Sequence, residues 1–173
     1  MKKTMIHIYY GDGKGKTTSA VGFAIRSAGC GNSVLFTQFL KSDKSAERRI
    51  LECIPNLSLP PLPAKTKFVF DLTPEEHNKQ RDIALNLFNY IKDNIDKYDL
   101  IVADEIFSAV DVGFLTLSHI NQLIKSTPKE KELVLTGHNV DKSVLIYADY
   151  VTYMSKIKHP FDLGVSARQG VEF

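Results

Sequence analysis

Short, nearly continuous apolar runs alternate along the chain with longer stretches in which apolar positions recur at helical spacing. Residues 5–9, MIHIY, predict a first strand. From Lys16 onward, Ala20, Val21, Phe23, Ala24 and Ala28 trace one helical face, which stops at Gly29-Cys30-Gly31. Residues 34–40, VLFTQFL, read as a strand covered on both faces, because they are apolar with little alternation. Strand, helix and strand make a βαβ unit, which implies a right-handed crossover and a parallel sheet.

The alternation then repeats. Residues 44–53 predict a short charged helix, and Pro55, Pro60, Pro61 and Pro63 mark an irregular excursion over the sheet edge. Residues 67–71 read as extended and place Phe68 and Phe70 on one side, where composition alone makes both core residues. Thr73 and Glu76 form a capping box with Pro74 at the first helical position, opening a helix to about Lys97. Ala84, Leu87, Phe88 and Ile91 give it an apolar face. A strand over 98–105, a helix over 116–126, a strand over 132–138, a short helix over 140–147 and a strand over 149–154 follow. The tail, 157–173, is too apolar for a disordered end, so its apolar residues are expected to dock.

Candidate chemistry sits where the first strand meets the first helix, in Tyr10-Gly11-Asp12-Gly13-Lys14-Gly15-Lys16-Thr17-Thr18. A phosphate-binding loop requires Gly, four residues, then Gly-Lys-Thr or Gly-Lys-Ser, and here the first glycine stands one place late, at Gly11. The variant keeps the chemistry: Gly11, Gly13 and Gly15 let successive N–H groups turn inward on an anion. Lys16 supplies a mobile ammonium, Thr17 a hydroxyl for a magnesium ion, and the helix its positive end. A strand before and a helix after are the context that separates this loop from a plain glycine turn. The run ending in Asp104-Glu105 supplies the acids that hold magnesium or orient an attacking group in such proteins. Lys41, after the second strand, falls at the sheet's ligand-binding edge, and His138 ends another strand there. His7, inside a strand, reads as structural.

Composition narrows the picture. The chain has 173 residues, 43% hydrophobic and 24% charged, which fits one domain over 1–173 with a proper core. Twenty-two basic against 20 acidic residues leave a net charge of +2, too balanced to imply a nucleic-acid partner. Cys30 and Cys53, the two cysteines, make neither a C-x-x-C pair nor a disulfide framework. No signal-peptide core and no membrane-length apolar stretch occurs, so a cytoplasmic location is expected. The fold class that follows is α/β, a P-loop NTPase-like three-layer sandwich with a mostly parallel sheet. These motifs place a magnesium nucleoside triphosphate at the sheet's carboxyl edge and leave three reactions open: hydrolysis at the γ-phosphate, transfer to a hydroxyl, or attack at the 5′ carbon.

Taken in order, GDGKGKTTSAVGFAIRSAGCG, QFLK, FVF, VADEI, LTGH and the ending IKHPFDLGVSARQGVEF resemble the ATP:corrinoid adenosyltransferases over nearly the whole chain. The resemblance implies that a cobalt(I) corrinoid attacks C5′ of ATP and expels the whole triphosphate. P-loop ATPase or small-molecule kinase activity is the alternative. It further implies that Gly11, Asp12, Gly13, Lys14, Gly15, Lys16, Thr17 and Thr18 bind the triphosphate, that Thr17 and Glu105 hold Mg²⁺ with Asp104 in the same acidic site, and that Arg26 contacts the nucleotide. Phe68 and Phe70 match aromatics that crowd the corrinoid's lower face and displace its axial base, which would make them catalytic together with Lys16. An electron-donor protein such as a flavodoxin or flavin reductase and a homodimer are implied as partners. Three departures stand out: Phe70 is smaller than the family's usual second aromatic, and His138 replaces a usual arginine. The third is that this chain begins at the first strand where many relatives carry an extension, so a more open corrinoid site is expected.

Overall fold

The computed structural model describes residues 4–64 and 72–171. Its order is β1 (Met5–Tyr10), α1 (Lys16–Gly29), β2 (Val34–Gln38), α2 (Ala46–Leu51), β3 (Leu57–Ser58), α3 (Pro74–Asn94), β4 (Leu100–Asp104), α4 (Ile106–Asp111), α5 (Leu117–Ser126), β5 (Glu132–Gly137), α6 (Lys142–Leu145) and β6 (Tyr150–Tyr153). The six strands form one sheet in the order β3-β2-β4-β5-β1-β6, and every pair is parallel. In β2 and β4 every residue is buried, which is why they carry apolar runs without alternation.

Successive residues of β4 point to opposite faces and seed two cores. Ile101 and Ala103 join Ala84, Leu87, Phe88 and Ile91 of α3 and Ile120 and Leu123 of α5. Leu100 and Val102 join Ala20, Ala24 and Ala28 of α1 and Leu51 of α2. Two apolar faces with helices on each are the three-layer sandwich expected. The capping box is present as read: Thr73 accepts the Glu76 N–H at 3.3 Å, and the Glu76 carboxylate accepts the Thr73 N–H at 3.0 Å.

Four expectations shift. The second strand stops at Gln38, because Leu40 takes the left-handed region at φ 57° and turns the chain away. The proline-rich excursion contains the edge strand β3, whose Leu57 and Ser58 pair with Val34 and Leu35. Helix α4, which the apolar pattern did not separate from the preceding strand, begins directly after Glu105. Among the described residues of the tail the apolar side chains stay exposed: Ile157, Phe161 and Leu163 are 95%, 73% and 75% exposed. The tail is shaped by polar contacts, Lys156 Nζ to Asp162 at 2.9 Å and the Phe161 N–H to His159 Nδ1 at 3.2 Å, which do not draw apolar groups onto the sheet. The extended segment expected at 67–71, with Phe68 and Phe70, lies outside the described residues.

Candidate active site

The glycine-rich loop divides into two halves with different partners. At its start the Gly11 N–H donates to the His138 carbonyl at 3.0 Å, and the Gly13 N–H donates to the Met154 carbonyl at 2.7 Å. A Cβ at Gly11 would lie 2.4 Å from the Met154 oxygen and one at Gly13 2.7 Å from it, because the chain leaving β6 passes directly over the loop. These glycines therefore admit a neighbouring strand rather than an anion. Asp12 faces the same way, accepting the Lys156 N–H at 3.0 Å, which holds its carboxyl below the usual range. The expectation that all three glycines turn their N–H groups on phosphate is thus corrected for Gly11 and Gly13: their donors are engaged by main-chain carbonyls.

The second half of the loop lines a cavity of about 320 Å³. Lys14, Gly15, Lys16, Thr17 and Thr18 form one side, and Lys41, Ala46, Glu47 and Glu105 stand around the rest, with Gly170 and Val171 of the tail. Lys16 Nζ donates to the carbonyls of Gly11 at 2.7 Å and Gly13 at 2.8 Å, and Lys14 Nζ to that of Val171 at 2.9 Å. Helix α1 starts at Lys16, so its N-terminal end faces the same cavity.

Asp104 ends β4 and is fully buried. The Thr17 hydroxyl stands 3.1 Å from each of its carboxylate oxygens. From β5, the strand between β1 and β4, the buried Thr136 donates to Asp104 Oδ1 at 2.7 Å and accepts the Glu105 N–H at 2.8 Å. One hydroxyl thereby fixes both acids. Glu105 sits in the left-handed region at φ 61°, and the Ser108 hydroxyl donates to its Oε2 at 2.5 Å. The His138 N–H donates to the same Ser108 oxygen at 3.2 Å, which ties Glu105 to the turn that holds Gly11. Threonine and serine at such places carry no distinctive spacing, so Thr136 and Ser108 were invisible in the sequence. Glu47, one charge among several in the predicted short helix, carries no such signal either.

Burial, then the neighbouring Glu105, push the Asp104 carboxyl up to about 6, against Thr136, Lys41 and Thr17, which pull it down. A carboxyl raised in the fold favours the folded state when protonated. In metal-free protein that stabilisation is complete below the unfolded value near 3.8 and is lost as pH rises through about 6. Asp104→Asn is expected to flatten this decline, on the order of 3 kcal/mol, in denaturant titrations between those pH values. An unchanged slope would mean that Asp104 does not titrate there.

The oxygen-only donor set of Thr17, Asp104 and Glu105 suits a hard cation such as Mg²⁺. Among the described residues no group of three or more His, Cys, Asp or Glu side chains could hold a metal. A site completed by phosphate oxygens and water is the form Mg²⁺ favours.

Other candidates lie elsewhere. Arg26 is exposed in the last turn of α1, about 15 Å along the helix from Lys16, and does not reach the cavity. His138 serves through its main chain, and its ring does not line the cavity. His7 is structural: its Nε2 lies 2.9 Å from Glu132 Oε2, and its ring stacks on Tyr150 at 4.5 Å. Cys30 and Cys53 are free and exposed. No helix among the described residues is long and apolar enough to cross a membrane.

A parallel sheet with a Gly-Lys-Thr loop at its carboxyl edge, facing a buried aspartate two strands away, defines a P-loop nucleotide-binding protein. A KaiC-like protein of Pyrococcus horikoshii shares this fold, with a TM-score of 0.53 over 91% of this chain and 75% of that one at 17% identity. The family profile of ATP:corrinoid adenosyltransferase BtuR/CobO/CobP matches residues 2–173, and the chain belongs to that family. It is 29% identical to the corrinoid adenosyltransferase of Escherichia coli K12, over 99% of this chain and 87% of that relative. Against the corrinoid adenosyltransferase of Pseudomonas aeruginosa it is 30% identical, over 99% and 85%. The chain is a transferase whose substrates are ATP and a corrinoid.

Proposed function

We propose that the cavity holds ATP by its triphosphate while C5′ is left open to a cobalt(I) corrinoid. The cobalt lone pair forms the cobalt–carbon bond, the C5′–O5′ bond breaks, and its electron pair leaves on the triphosphate. The observation that carries this reading is the convergence of Lys14 to Thr18 and Glu105 on one cavity, with the buried Asp104 hydrogen-bonded to Thr17 behind its wall.

Residue by residue, the N–H groups and side chains of Lys14, Gly15, Lys16, Thr17 and Thr18 bind phosphate oxygens, with Lys16 exchanging its loop carbonyls for them. Gly11, Asp12 and Gly13 act indirectly, by fixing the loop against β6. Thr17, Asp104 and Glu105 would hold Mg²⁺, which supplies positive charge against the departing triphosphate. Stabilisation of that developing charge is the protein's main contribution. Incubation with ATP, Mg²⁺ and chemically reduced cobalamin tests the reading, by absorbance of the alkylated corrinoid and by product analysis. Free triphosphate is expected. Release of ADP in its place would sink the proposal and favour a kinase or ATPase.

Phe68 and Phe70 are proposed to displace the corrinoid's axial base, since loss of that donor lowers the cobalt orbital that accepts an electron. Phe68→Ala and Phe70→Ala are expected to slow reaction from cobalt(II) cobalamin with a mild reductant about tenfold more than reaction from preformed cobalt(I). Equal losses in the two assays would contradict the role.

We propose a homodimer, supported by the apolar side chains exposed on Ile146, Tyr150, Tyr153, Ile157 and Phe161. A reduced flavoprotein such as a flavodoxin or flavin reductase is proposed as electron donor, and the cytoplasm as the place of action.

A further inference from the structure

Lys41 occupies the wall of the cavity outside the loop. Gln38 pairs in register with Asp104, and the Phe39 N–H still donates to the Asp104 carbonyl at 2.8 Å, so the chain is held to β4 up to this point. Leu40 then adopts φ 57°, a left-handed conformation that a leucine keeps only where its surroundings enforce it. Lys41 follows directly and joins the cavity lining beside Glu47.

The two are paired loosely. Lys41 Nζ stands 4.0 Å from Glu47 Oε1, beyond hydrogen-bond length. The same Oε1 accepts Gln38 Nε2 at 2.8 Å, and Gln38 is fully buried. Glu47 is therefore anchored from behind by a fixed amide, while the lysine beside it keeps a long, adjustable stem. Among the described residues, the cavity's other lysines, Lys14 and Lys16, are hydrogen-bonded to main-chain carbonyls of the tail and the loop.

A leaving triphosphate carries several negative charges, and cations placed only along the loop would meet one side of it. We propose that Lys41 is a second phosphate-binding cation, contacting the triphosphate from outside the loop, and that Glu47 is its positioning counter-ion when no triphosphate is present. The pair then works by exchange: phosphate oxygens take the ammonium from Glu47, and Glu47 takes it back as triphosphate departs. Glu47 thus keeps Lys41 from holding the product too tightly. This rests on the assignment of the cavity to the triphosphate of ATP.

Calorimetric titration with tripolyphosphate, at fixed Mg²⁺ and ionic strength, tests it on the full chain, with circular dichroism confirming the fold of each variant. Lys41→Met is expected to weaken tripolyphosphate binding roughly tenfold, the scale of a charge-assisted contact, and Lys41→Arg to recover part of the loss. Glu47→Gln is expected to tighten binding a few-fold, because the competing carboxylate charge is gone. Lys16→Ala serves as the reference. If Lys16→Ala weakens binding while Lys41→Met matches the parent, or if Glu47→Gln binds no more tightly, the Lys41 inference is overturned and the cavity assignment stands. If the parent does not bind tripolyphosphate, or Lys16→Ala binds it as the parent does, the cavity assignment falls and the inference with it.

Discussion

Lys16→Ala is expected to lower kcat/KM for ATP by roughly a hundredfold or more, assayed with preformed cobalt(I) cobalamin so that reduction does not limit the rate. Two losses combine. The ammonium that would meet the triphosphate is removed, and the two bonds that draw the carbonyls of Gly11 and Gly13 together, at 2.7 and 2.8 Å, go with it. Lys16→Arg is expected to restore little, since a planar fork cannot replace a compact ammonium reaching two converging carbonyls. The melting temperature should change by only a few degrees, as Lys16 lies in neither apolar core. Activity within a few-fold of the parent would show that the loop is not where ATP reacts.

Gly11→Ala should be the most damaging of the glycine substitutions, with a loss of roughly 2–4 kcal/mol in denaturant unfolding and a large drop in ATP affinity. The residue has φ 121°, and the added methyl would lie 2.4 Å from the Met154 oxygen and 2.9 Å from the Tyr153 ring. The oxygen is main chain and cannot swing aside, so β6 or the loop must move. Gly22→Ala makes the matched control. Its Cβ meets nothing within 4 Å in the middle of α1, so the same chemical change should stabilise the protein by about 0.5–1 kcal/mol. A Gly11→Ala protein as stable as the parent would refute the steric account.

The layered architecture was legible because β2, β4 and β5 are covered on both faces and carry apolar runs without alternation, while α1 and α3 show one apolar stripe each. Two elements escaped for local reasons. β3 is two residues long among prolines, and α4 begins at a left-handed glutamate straight after a strand, so its apolar residues run on from that strand. In the site, Lys16, Thr17, Asp104 and Glu105 were legible because a loop motif and a strand-ending acid pair are local signals. The partners that set their geometry are not local: His138, Met154, Thr136 and Ser108 arrive from other elements, and only the three-dimensional pairing shows which peptide group each loop donor meets. Arg26 was assigned to the nucleotide by resemblance, but the rise of an α-helix carries it to the end of α1 away from the loop.

The crossing of β6 over the loop also has a meaning for the order in which the protein is made. Residues 11–13 leave the ribosome long before the oxygens and peptide groups that hold them, which belong to His138, Met154 and Lys156. At a synthesis rate of roughly 5–20 residues per second, the loop waits many seconds for its final shape. Until then β1 has neither of its sheet neighbours, β5 and β6, and the loop's first half lacks the chain that closes it. Competence to grip ATP is thereby deferred until β6 and the residues just after it have been made.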